Sequence, residues 1–495
     1  MTAPASLGQR ADEVLAKFPD HPALFFEGTW YSSHELASRS RKAAAGFVEL
    51  GVAPGDRVVV VMANCPEVGL TYSALWRAGA VPTPALFLLT EEELTHVVSD
   101  SRAVACVTTP EFLPKVQAAA PGLPVVVVGG EGPVTWEQLE DHDELPLVPR
   151  DPQDLAALLY TGGTTGRSKG VALTHAGLDA AGFAAATAAY QPGRSSILVP
   201  LPLAHAYGLL VTVAGLHAQE PGRSFLMRWF DPAGWIALVE EHRIQTSALV
   251  PSMIQMLLGQ PLEDHDLSCL ERISSGAAPL SKDVAEEFEK RIPSVEIREG
   301  YGCTETSALI SSQPDERRLG SVGKPLTGID VRIVLPDGTD APAGEDGEIC
   351  VSGATLMQGY WQSPDATAGA IRDGWLHTGD VGHLDDDGYL YVVDRIKDLI
   401  IRGGFNVYPR DVEDVLLAHP AVAAAAVVGR PDPKLGEEVV AFVQLSGEVT
   451  PDELIAFSKE HLGAYKYPRE VRVIDAIPLT SVMKTDRKAL RATLQ

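Results

Sequence analysis

Short apolar runs alternate with amphipathic segments through the first 330 residues of the chain. The runs are rich in aliphatic and β-branched side chains, which is typical of buried strands. They are Val58–Met62, Ala105–Thr108, Pro124–Val128, Ala156–Tyr160, Ile197–Pro200, Ser247–Val250 and Val295–Ile297. Because strands that alternate with helices form parallel sheets covered by helices, the pattern predicts an α/β fold.

Local signals predict where individual helices begin and end. Ser32 and Glu35 have the spacing of a capping box, and Gly51 is placed to end the helix that follows. A second capping box is formed by Thr450 and Glu453.

The pattern changes after about residue 330, where short strands are separated by turn signals in LPDGTD, DGEICVSG and DDDGYLYVVD. This predicts a small antiparallel β subunit followed by an α+β unit. We therefore expect a large N-terminal domain of parallel or mixed sheets over residues 1–394 and a small α+β domain over residues 395–495.

Composition excludes several classes of protein. The 495 residues carry 66 acidic and 40 basic side chains, a formal charge of −26, which disfavours nucleic-acid and membrane binding. The five cysteines form no C-x-x-C pair, which favours free thiols over a disulfide framework or a zinc site. The first residues lack a signal pattern, and the apolar run at residues 421–429 is too short to cross a membrane. We expect a soluble, cytoplasmic monomer or homodimer.

The segment from Leu158 to Val171 carries the strongest chemical signal. A predicted strand runs into a stretch rich in glycine and threonine that includes Lys169. Glycines let backbone N–H groups turn toward a phosphate, and the lysine adds positive charge. Ser168 precedes the lysine where a Walker A loop has glycine, and no G-x-G-x-x-G follows an early strand. The segment therefore predicts a phosphate-binding loop of another kind, with an ordinary surface loop as the alternative.

Residues 161–170 resemble the signature loop [ST]-S-G-[ST]-T-G-x-P-K-G of the acyl-adenylate-forming superfamily, with Gly162 and Ser168 as departures. The resemblance implies that this loop binds the departing pyrophosphate of ATP. It assigns these nucleotide-binding residues: Thr161, Gly163, Thr164, Thr165, Gly166 and Lys169.

Further segments extend the resemblance over nearly the whole chain. Ser275-Gly-Ala-Ala-Pro-Leu280 resembles the segment that lines the adenine and acyl pockets, and Tyr301-Gly-Cys-Thr-Glu305 resembles the Y-G-x-T-E motif. These matches imply that Thr304 contacts the α-phosphate, that Tyr301 packs against adenine and that Glu305, with Thr165, holds Mg²⁺. The nucleotide-binding residues implied here are Gly276, Ala277, Ala278, Glu299, Gly300, Tyr301, Gly302 and Thr304.

The remaining matches lie near the C-terminal end. Trp375-Leu-His-Thr-Gly-Asp380 resembles the W-x-x-T-G-D motif, which implies that Asp380 binds the ribose hydroxyls and that Arg395 contacts the nucleotide. Lys397 falls at the hinge of a mobile C-terminal domain, and Gly403 and Gly404 at the loop that faces the pantetheine channel. Lys484 aligns with the adenylation lysine, although Met483 replaces the usual glycine.

The substrate pocket is assigned by the same resemblance. Pro202-Leu-Ala-His-Ala-Tyr-Gly208 resembles a segment that borders the acyl group, so His205 is assigned to guide the carboxylate or close the pocket. The implied pocket residues are His205, Tyr207, Gly276, Ala277 and Gly302. No aspartate accompanies His205, and Gly300 stands where malonate-activating relatives carry arginine. We therefore expect an aromatic or medium-chain monocarboxylate rather than an amino acid or a dicarboxylate.

The resemblance implies an ATP-dependent enzyme that makes an acyl-AMP, releases pyrophosphate and transfers the acyl group to coenzyme A, with Mg²⁺ as the metal. Two alternatives share the nucleotide motifs. One passes the acyl group to a carrier protein or an amine, and the other activates an oxyanion such as nitrite for diazo formation. A non-catalytic relative is disfavoured by the presence of Thr304, Glu305, Asp380, Arg395 and Lys484.

Overall fold

The structure, a computed structural model, describes residues 4–161, 167–479 and 485–494. The chain forms two compact units, the first made of Met1–Val331 and Val351–Leu376 and the second of Arg332–Cys350 and His377–Gln495. The predicted domain boundary between residues 394 and 395 is not tested by this division and stays a prediction.

Helices and short strands alternate through the first 150 residues, as the sequence pattern predicts. The elements are α1 (Leu7–Lys17), β1 (Pro22–Phe26), β2 (Thr29–Ser32), α2 (Ser33–Glu49), β3 (Arg57–Val61), α3 (Pro66–Arg77), β4 (Val81–Pro84), α4 (Glu91–Ser101), β5 (Ala103–Thr108), α5 (Leu113–Ala119), β6 (Val125–Val127), β7 (Val134–Thr135) and α6 (Trp136–Glu140). Strands β3 to β7 form a parallel sheet in the order β4-β3-β5-β6-β7. The predicted capping box of Ser32 and Glu35 begins α2.

The next part of the chain, residues 155–334, contains seven strands of a nine-stranded sheet and three strands of other sheets. Its elements are β8 (Leu155–Thr161), β9 (Lys169–Thr174), α7 (His175–Ala189), β10 (Ser196–Val199), α8 (Ala206–Gly215), β11 (Arg223–Leu226), α9 (Pro232–His242), β12 (Thr246–Leu249), α10 (Pro251–Leu258), β13 (Arg272–Ser275), α11 (Lys282–Arg291), β14 (Glu296–Tyr301), β15 (Ser311–Ser312), β16 (Lys324–Pro325) and β17 (Ile329–Val334). The order β16-β15-β14-β13-β12-β10-β11-β1-β2 is parallel from β14 to β1 and antiparallel at both edges. The predicted α/β fold is confirmed.

The predicted strand Ala156–Tyr160 exists, but its expected place in a parallel sheet is wrong. It forms β8, which pairs antiparallel with β9 across the glycine-rich loop. An apolar run specifies burial on both faces, whereas the direction of its partner depends on the loop and on long-range packing.

The rest of the chain contains ten more strands and four more helices among the described residues. The elements are β18 (Gly347–Gly353), β19 (Gly359–Tyr360), α12 (Pro364–Ala370), β20 (Ile371–Arg372), β21 (Trp375–Leu384), β22 (Leu390–Arg395), β23 (Ile400–Arg402), β24 (Phe405–Val407), α13 (Pro409–Leu417), β25 (Val422–Asp432), β26 (Gly436–Leu445), α14 (Pro451–His461), β27 (Glu470–Val473) and α15 (Arg487–Ala492). In the second unit, β21 and β22 form an antiparallel hairpin, and β24-β23-β26-β25 form a sheet to which β27 is added beside β26.

Contacts within the second unit cross the predicted domain boundary. Asp394 accepts a hydrogen bond from the backbone N–H of Arg410 at 3.1 Å, and the Arg410 side chain donates to the Val392 carbonyl at 2.9 Å. These contacts join the β21–β22 hairpin to the start of α13.

His175 makes the stability of the first unit depend on pH. Its Nδ1 accepts the N–H of Leu7 at 3.2 Å, and the side chain is buried. Burial and, next, the charge of Arg150 lower the pKa of His175 from its ordinary value of 6.5 to about 4, against the opposing charges of Asp154 and Asp179. The unfolded chain therefore takes up this proton first as the pH falls, so the stability that neutral His175 contributes is complete above pH 6.5 and is lost toward pH 4.

We expect the free energy of unfolding of the first unit to fall by up to roughly 3 kcal/mol between pH 7 and pH 4 because of His175. The seven tryptophans lie between residues 30 and 375, so their fluorescence during denaturation in urea reports on this unit. His175→Gln is expected to flatten the pH dependence, whereas His34→Gln, the same change at an exposed histidine, is not. Equal pH dependence in all three proteins would contradict the assignment.

Candidate active site

Three parallel strands of the nine-stranded sheet end at segments that the sequence singles out. Strand β10 leads to residues 200–208, β13 to residues 276–278 and β14 to residues 302–306. Because the carboxyl ends of parallel strands meet at one edge of a sheet, these segments share an edge. Ligands of open α/β sheets bind at such edges.

Tyr207 lies in the first turn of α8 and contacts the end of β13. Its hydroxyl donates to the Ser274 carbonyl at 3.1 Å, and burial raises the pKa of Tyr207. A Cβ at Gly276 would lie 3.2 Å from the Gly300 carbonyl oxygen and 3.9 Å from Cε1 of Tyr207. The structure thus brings Tyr207, Gly276 and Gly300 together. Because Gly276 has no side chain, its backbone lies beside the edge of the Tyr207 ring.

His205 is the N-cap of α8. Its Nδ1 accepts the backbone N–H of Tyr207 at 3.2 Å, which fixes the orientation of the imidazole. Since Nδ1 accepts, the neutral ring carries its proton on Nε2. The catalytic assignment of His205 stays a prediction, and the structure adds a capping role.

The implied adenine-binding residues lie on β14 and on the turn after β13. Glu299 and Tyr301 are half-buried on the last residues of β14, and Tyr301 pairs with Ser311 of β15. Ala277, which precedes Ala278, has a φ of +69°, a conformation that residues other than glycine rarely adopt. Such strained backbone concentrates at ligand-binding segments.

Thr304 and Glu305 lie in a 3₁₀ turn, Thr304–Thr306, that follows β14 closely. The backbone comes so close to the next loop that a Cβ at Gly302 would lie 2.3 Å from the Ala308 carbonyl oxygen. Glycine at position 302 therefore allows the sharp return that places both side chains beyond the strand end.

Tyr360 joins two of the predicted site residues. Its hydroxyl donates to Oε1 of Glu305 at 2.9 Å, and its ring centroid lies 5.0 Å from Nζ of Lys169. No sequence motif predicts a role for Tyr360, which lies on strand β19 beside Trp361.

The glycine-rich loop is anchored at both ends by paired strands. Thr161 is the last residue of β8 and pairs with Lys169, the first residue of β9. The predicted residues within the loop lie outside the described residues: Gly163, Thr164, Thr165 and Gly166.

The described part of the predicted Mg²⁺ site consists of Glu305. Its carboxylate is half-buried and supplies the hard oxygen donor that Mg²⁺ prefers, alongside phosphate oxygens and water. The residue fits the metal, and Thr165, the second predicted ligand, lies outside the described residues.

In the second unit, Asp380 and Arg395 form an ion pair. They are partners in the β21–β22 hairpin, and Nε of Arg395 lies 3.0 Å from Oδ1 of Asp380. The Asp380 side chain is 6% exposed and that of Arg395 is 46% exposed, so the cation is the more accessible member.

Strand β21 is tied to β18 just before Asp380 by contacts that sequence spacing does not predict. Glu348 accepts the N–H of Gly379 at 3.1 Å with one oxygen and lies 2.7 Å from Nδ1 of His377 with the other. Thr378 donates to the Ile349 carbonyl at 2.8 Å. These contacts fix the backbone on both sides of Thr378. Strand neighbours of this kind have no signal in sequence spacing.

Lys397 lies in a 3₁₀ turn, Ile396–Asp398, after β22. Partial burial and, next, the charge of Arg395 lower the pKa of Lys397. Its neighbour Asp398 is buried and accepts a hydrogen bond from Arg491 at 3.0 Å. The predicted hinge residue therefore follows an anchored strand and precedes an anchored aspartate.

Gly403 and Gly404 form the two-residue turn between β23 and β24. Their φ values are +60° and +83°, as a type I′ hairpin requires. A Cβ at Gly404 would have no heavy atom within 4 Å. Lys484, the predicted adenylation residue, lies outside the described residues.

Among the described residues, no helix combines the length and the apolar character needed to cross a membrane.

Comparison with known families identifies two matching sequence profiles. The profile of the family described as "AMP-binding enzyme" matches residues 11–361, and that of "AMP-binding enzyme C-terminal domain" matches residues 411–484.

Individual relatives match over almost the whole chain. A feruloyl-CoA synthase of an Amycolatopsis species is 37% identical over 470 residues, which cover 93% of this chain and 94% of the relative. ATP-bound MatB from Rhodopseudomonas palustris is similar in structure, with a TM-score of 0.91, 31% identity and 99% coverage of both chains. The amide bond synthetase McbA from Marinactinospora thermotolerans has a TM-score of 0.89 at 30% identity, covering 99% of this chain and 100% of that chain.

Proposed function

The chain belongs to the family of AMP-binding enzymes and is an AMP-forming, ligase-like enzyme that uses ATP; from this premise we propose that it activates an aromatic or medium-chain monocarboxylate and transfers it to coenzyme A. The observation that carries the proposal is the cluster of Tyr207, Gly276 and Gly300 at one edge of the sheet. It offers an aromatic surface beside backbone that carries no side chains.

The reaction has two steps, and the first makes the acid reactive. A carboxylate is a poor electrophile because oxide is not a viable leaving group. Attack of a carboxylate oxygen on the α-phosphorus of ATP forms a new O–P bond and expels pyrophosphate, which yields a mixed anhydride whose leaving group is AMP. The thiolate of coenzyme A then forms the C–S bond as AMP departs.

Charge develops on the transferred phosphate during the first step, so positioned cations and hydrogen-bond donors supply most of the catalysis. We assign Lys484 to that charge, Thr304 to the α-phosphate and the loop at residues 161–170 to pyrophosphate. Mg²⁺, held by Glu305 and Thr165, would add positive charge at the phosphates. Asp380 and Arg395 would hold the ribose and the nucleotide.

The surroundings of Tyr207 support the choice of acid. The segment 202–208 carries no aspartate that would pair with an α-ammonium group, and Gly300 offers no cation for a second carboxylate. The similarity to a feruloyl-CoA synthase supports an aromatic acid as the first choice.

The test is ATP–pyrophosphate exchange over a panel of acids, followed by thioester formation with coenzyme A. We expect exchange with ferulate, 4-coumarate or octanoate, and AMP as the nucleotide product. With coenzyme A present, a thioester should accumulate in amounts equal to the AMP. Exchange with amino acids, malonate or nitrite alone, or release of ADP, would contradict the proposal.

A second candidate is amide formation, which the likeness to the amide bond synthetase McbA favours. The first step is unchanged, and an amine nitrogen replaces the thiolate in the second. Supplying amines in place of coenzyme A separates the two functions, because an amide product formed faster than the thioester would favour the second candidate.

A further inference from the structure

Tyr360 contacts two predicted nucleotide-site residues that are far apart in the sequence. Its hydroxyl donates to Glu305 at 2.9 Å, and its ring lies 5.0 Å from the Lys169 ammonium. None of the roles proposed above uses this side chain.

Tyr360 is itself held firmly. It lies on β19, which pairs antiparallel with β9, so the strand that begins with Lys169 also fixes the tyrosine. The backbone N–H of Tyr360 donates to Oγ1 of Thr367 at 2.9 Å, in the first turns of α12. At Glu305, the backbone carbonyl accepts the N–H of Met357 at 2.8 Å. Donor and acceptor are therefore both anchored through their backbones.

We propose that Tyr360 is a positioning residue that orients the Glu305 carboxylate toward a nucleotide-bound divalent cation and keeps Lys169 beside it. The inference rests on the proposed function, because it takes Glu305 as the Mg²⁺ ligand of an ATP site. A carboxylate that accepts the Tyr360 hydroxyl through Oε1 directs its second oxygen to the cation. Without the hydroxyl, the carboxylate is free to rotate and must be ordered when the metal nucleotide binds.

The contact persists at ordinary pH because the phenol stays neutral. An ordinary phenol has a pKa of about 10, so the Tyr360 hydroxyl keeps its proton and donates at neutral pH. The aromatic face also attracts the Lys169 ammonium by a cation–π contact. The Tyr360 side chain therefore contacts an anion, Glu305, through its hydroxyl and a cation, Lys169, through its ring.

Tyr360→Phe tests the inference, because it removes the hydroxyl and keeps the ring. Isothermal titration calorimetry would measure ATP binding once with excess Mg²⁺ and once with a chelator. We expect the dissociation constant of MgATP to rise about tenfold, as for the loss of one hydrogen bond to a charged group. The dissociation constant of metal-free ATP should change by less than about twofold, because the hydroxyl acts through the metal ligand.

Tyr190→Phe is the matched control, since the Tyr190 hydroxyl also donates to a glutamate, Glu220, at 3.1 Å but at an exposed position. It should leave both dissociation constants unchanged. Equal weakening of MgATP and metal-free ATP by Tyr360→Phe, or no change in either, would overturn the inference. If Tyr360→Phe lowers the melting temperature, the substitution is repeated in a Glu305→Gln protein. There it should no longer change the dissociation constant of MgATP. A change of the same size in the Glu305→Gln protein would refute the mechanism.

The titration contains neither acid nor coenzyme A, so a chain that fails to make the proposed thioester still gives a result. A protein that binds MgATP and shows the tenfold loss supports the role of Tyr360 whatever the acid is. Failure of the unaltered chain to bind ATP would overturn both the inference and the proposed function.

Discussion

Lys484→Ala is expected to lower the rate of acyl-adenylate formation by about 10²–10³-fold, the usual cost of removing one preorganised group that stabilises charge in the transition state. The ammonium is proposed to act on the phosphate during the first step and has no role in the attack by the thiolate. Transfer from a preformed acyl-adenylate to coenzyme A should therefore proceed at nearly the unaltered rate. The two rates are measured separately, by pyrophosphate exchange and by thioester formation from synthetic acyl-adenylate.

Gly404→Leu provides the opposite comparison. Gly404 has open space around it but a φ of +83°, so leucine would fill the predicted pantetheine-facing turn at some cost in backbone strain. The strain is controlled by Gly388→Leu, because Gly388 has a φ of +79°, equally open surroundings and a place in the β21–β22 turn. The Gly404 variant should slow the transfer step and leave the rate of pyrophosphate exchange unchanged. The Gly388 variant should leave the ratio of the transfer rate to the exchange rate unchanged.

Equal loss of both half-reactions in Lys484→Ala would contradict the role assigned to this lysine. It would indicate either a structural role or a reaction in which both steps use the same cation. Unimpaired pyrophosphate exchange would exclude the lysine from the first step altogether.

Asp380→Ala is expected to raise the dissociation constant of ATP by about 100-fold or more. Two hydrogen bonds from the ribose hydroxyls to a carboxylate would be lost, each contributing about 1.5–3 kcal/mol. The structure gives a further reason, since Arg395 lies 3.0 Å from Asp380 and would lose the partner that orients it. Calorimetric titration with ATP measures the effect.

Asp386→Ala, in the exposed turn of the same hairpin, is the control for the change of charge. It should leave ATP binding unaltered. An Asp380→Ala protein that binds ATP as tightly as the unaltered chain would show that the ribose is held elsewhere. Because the Arg395 side chain is nearly half exposed, its loss of a partner leaves a solvated cation and should not unfold the protein.

Short-range features of the fold are predictable from the sequence because their causes are short-range. The capping boxes at Ser32 and Thr450 form as expected, since each depends on residues three positions apart. The two glycines at residues 403–404 suit the positive φ values of the two-residue hairpin that the structure shows there, although the sequence predicts only a loop. Among the strands of the nine-stranded sheet, Ile197–Pro200 and Ser247–Val250 were predicted to within one residue of β10 and β12.

The contacts that organise the candidate site could not be predicted in this way. Tyr360 lies 55 residues from Glu305, and Glu348 lies 29 residues from His377. These separations are much longer than the repeat of a helix or a strand. The order of residues therefore gives no signal that the two side chains of either pair are in contact. The antiparallel pairing of β8 with β9 could not be predicted either, because an apolar run does not specify the direction of the neighbouring strand.

The order of residues specifies which side chains are available for phosphate and nucleotide chemistry, and the hydrophobic pattern specifies the α/β alternation. Both properties depend on side-chain chemistry and on the periodicity of hydrophobic residues, which can be read directly from the sequence. Only long-range packing brings Tyr360 to Glu305 and Lys169, and Glu348 to Gly379 beside Asp380. Such contacts form when packed strands bring distant segments together. They depend on the packing of the whole core and not on any local sequence pattern.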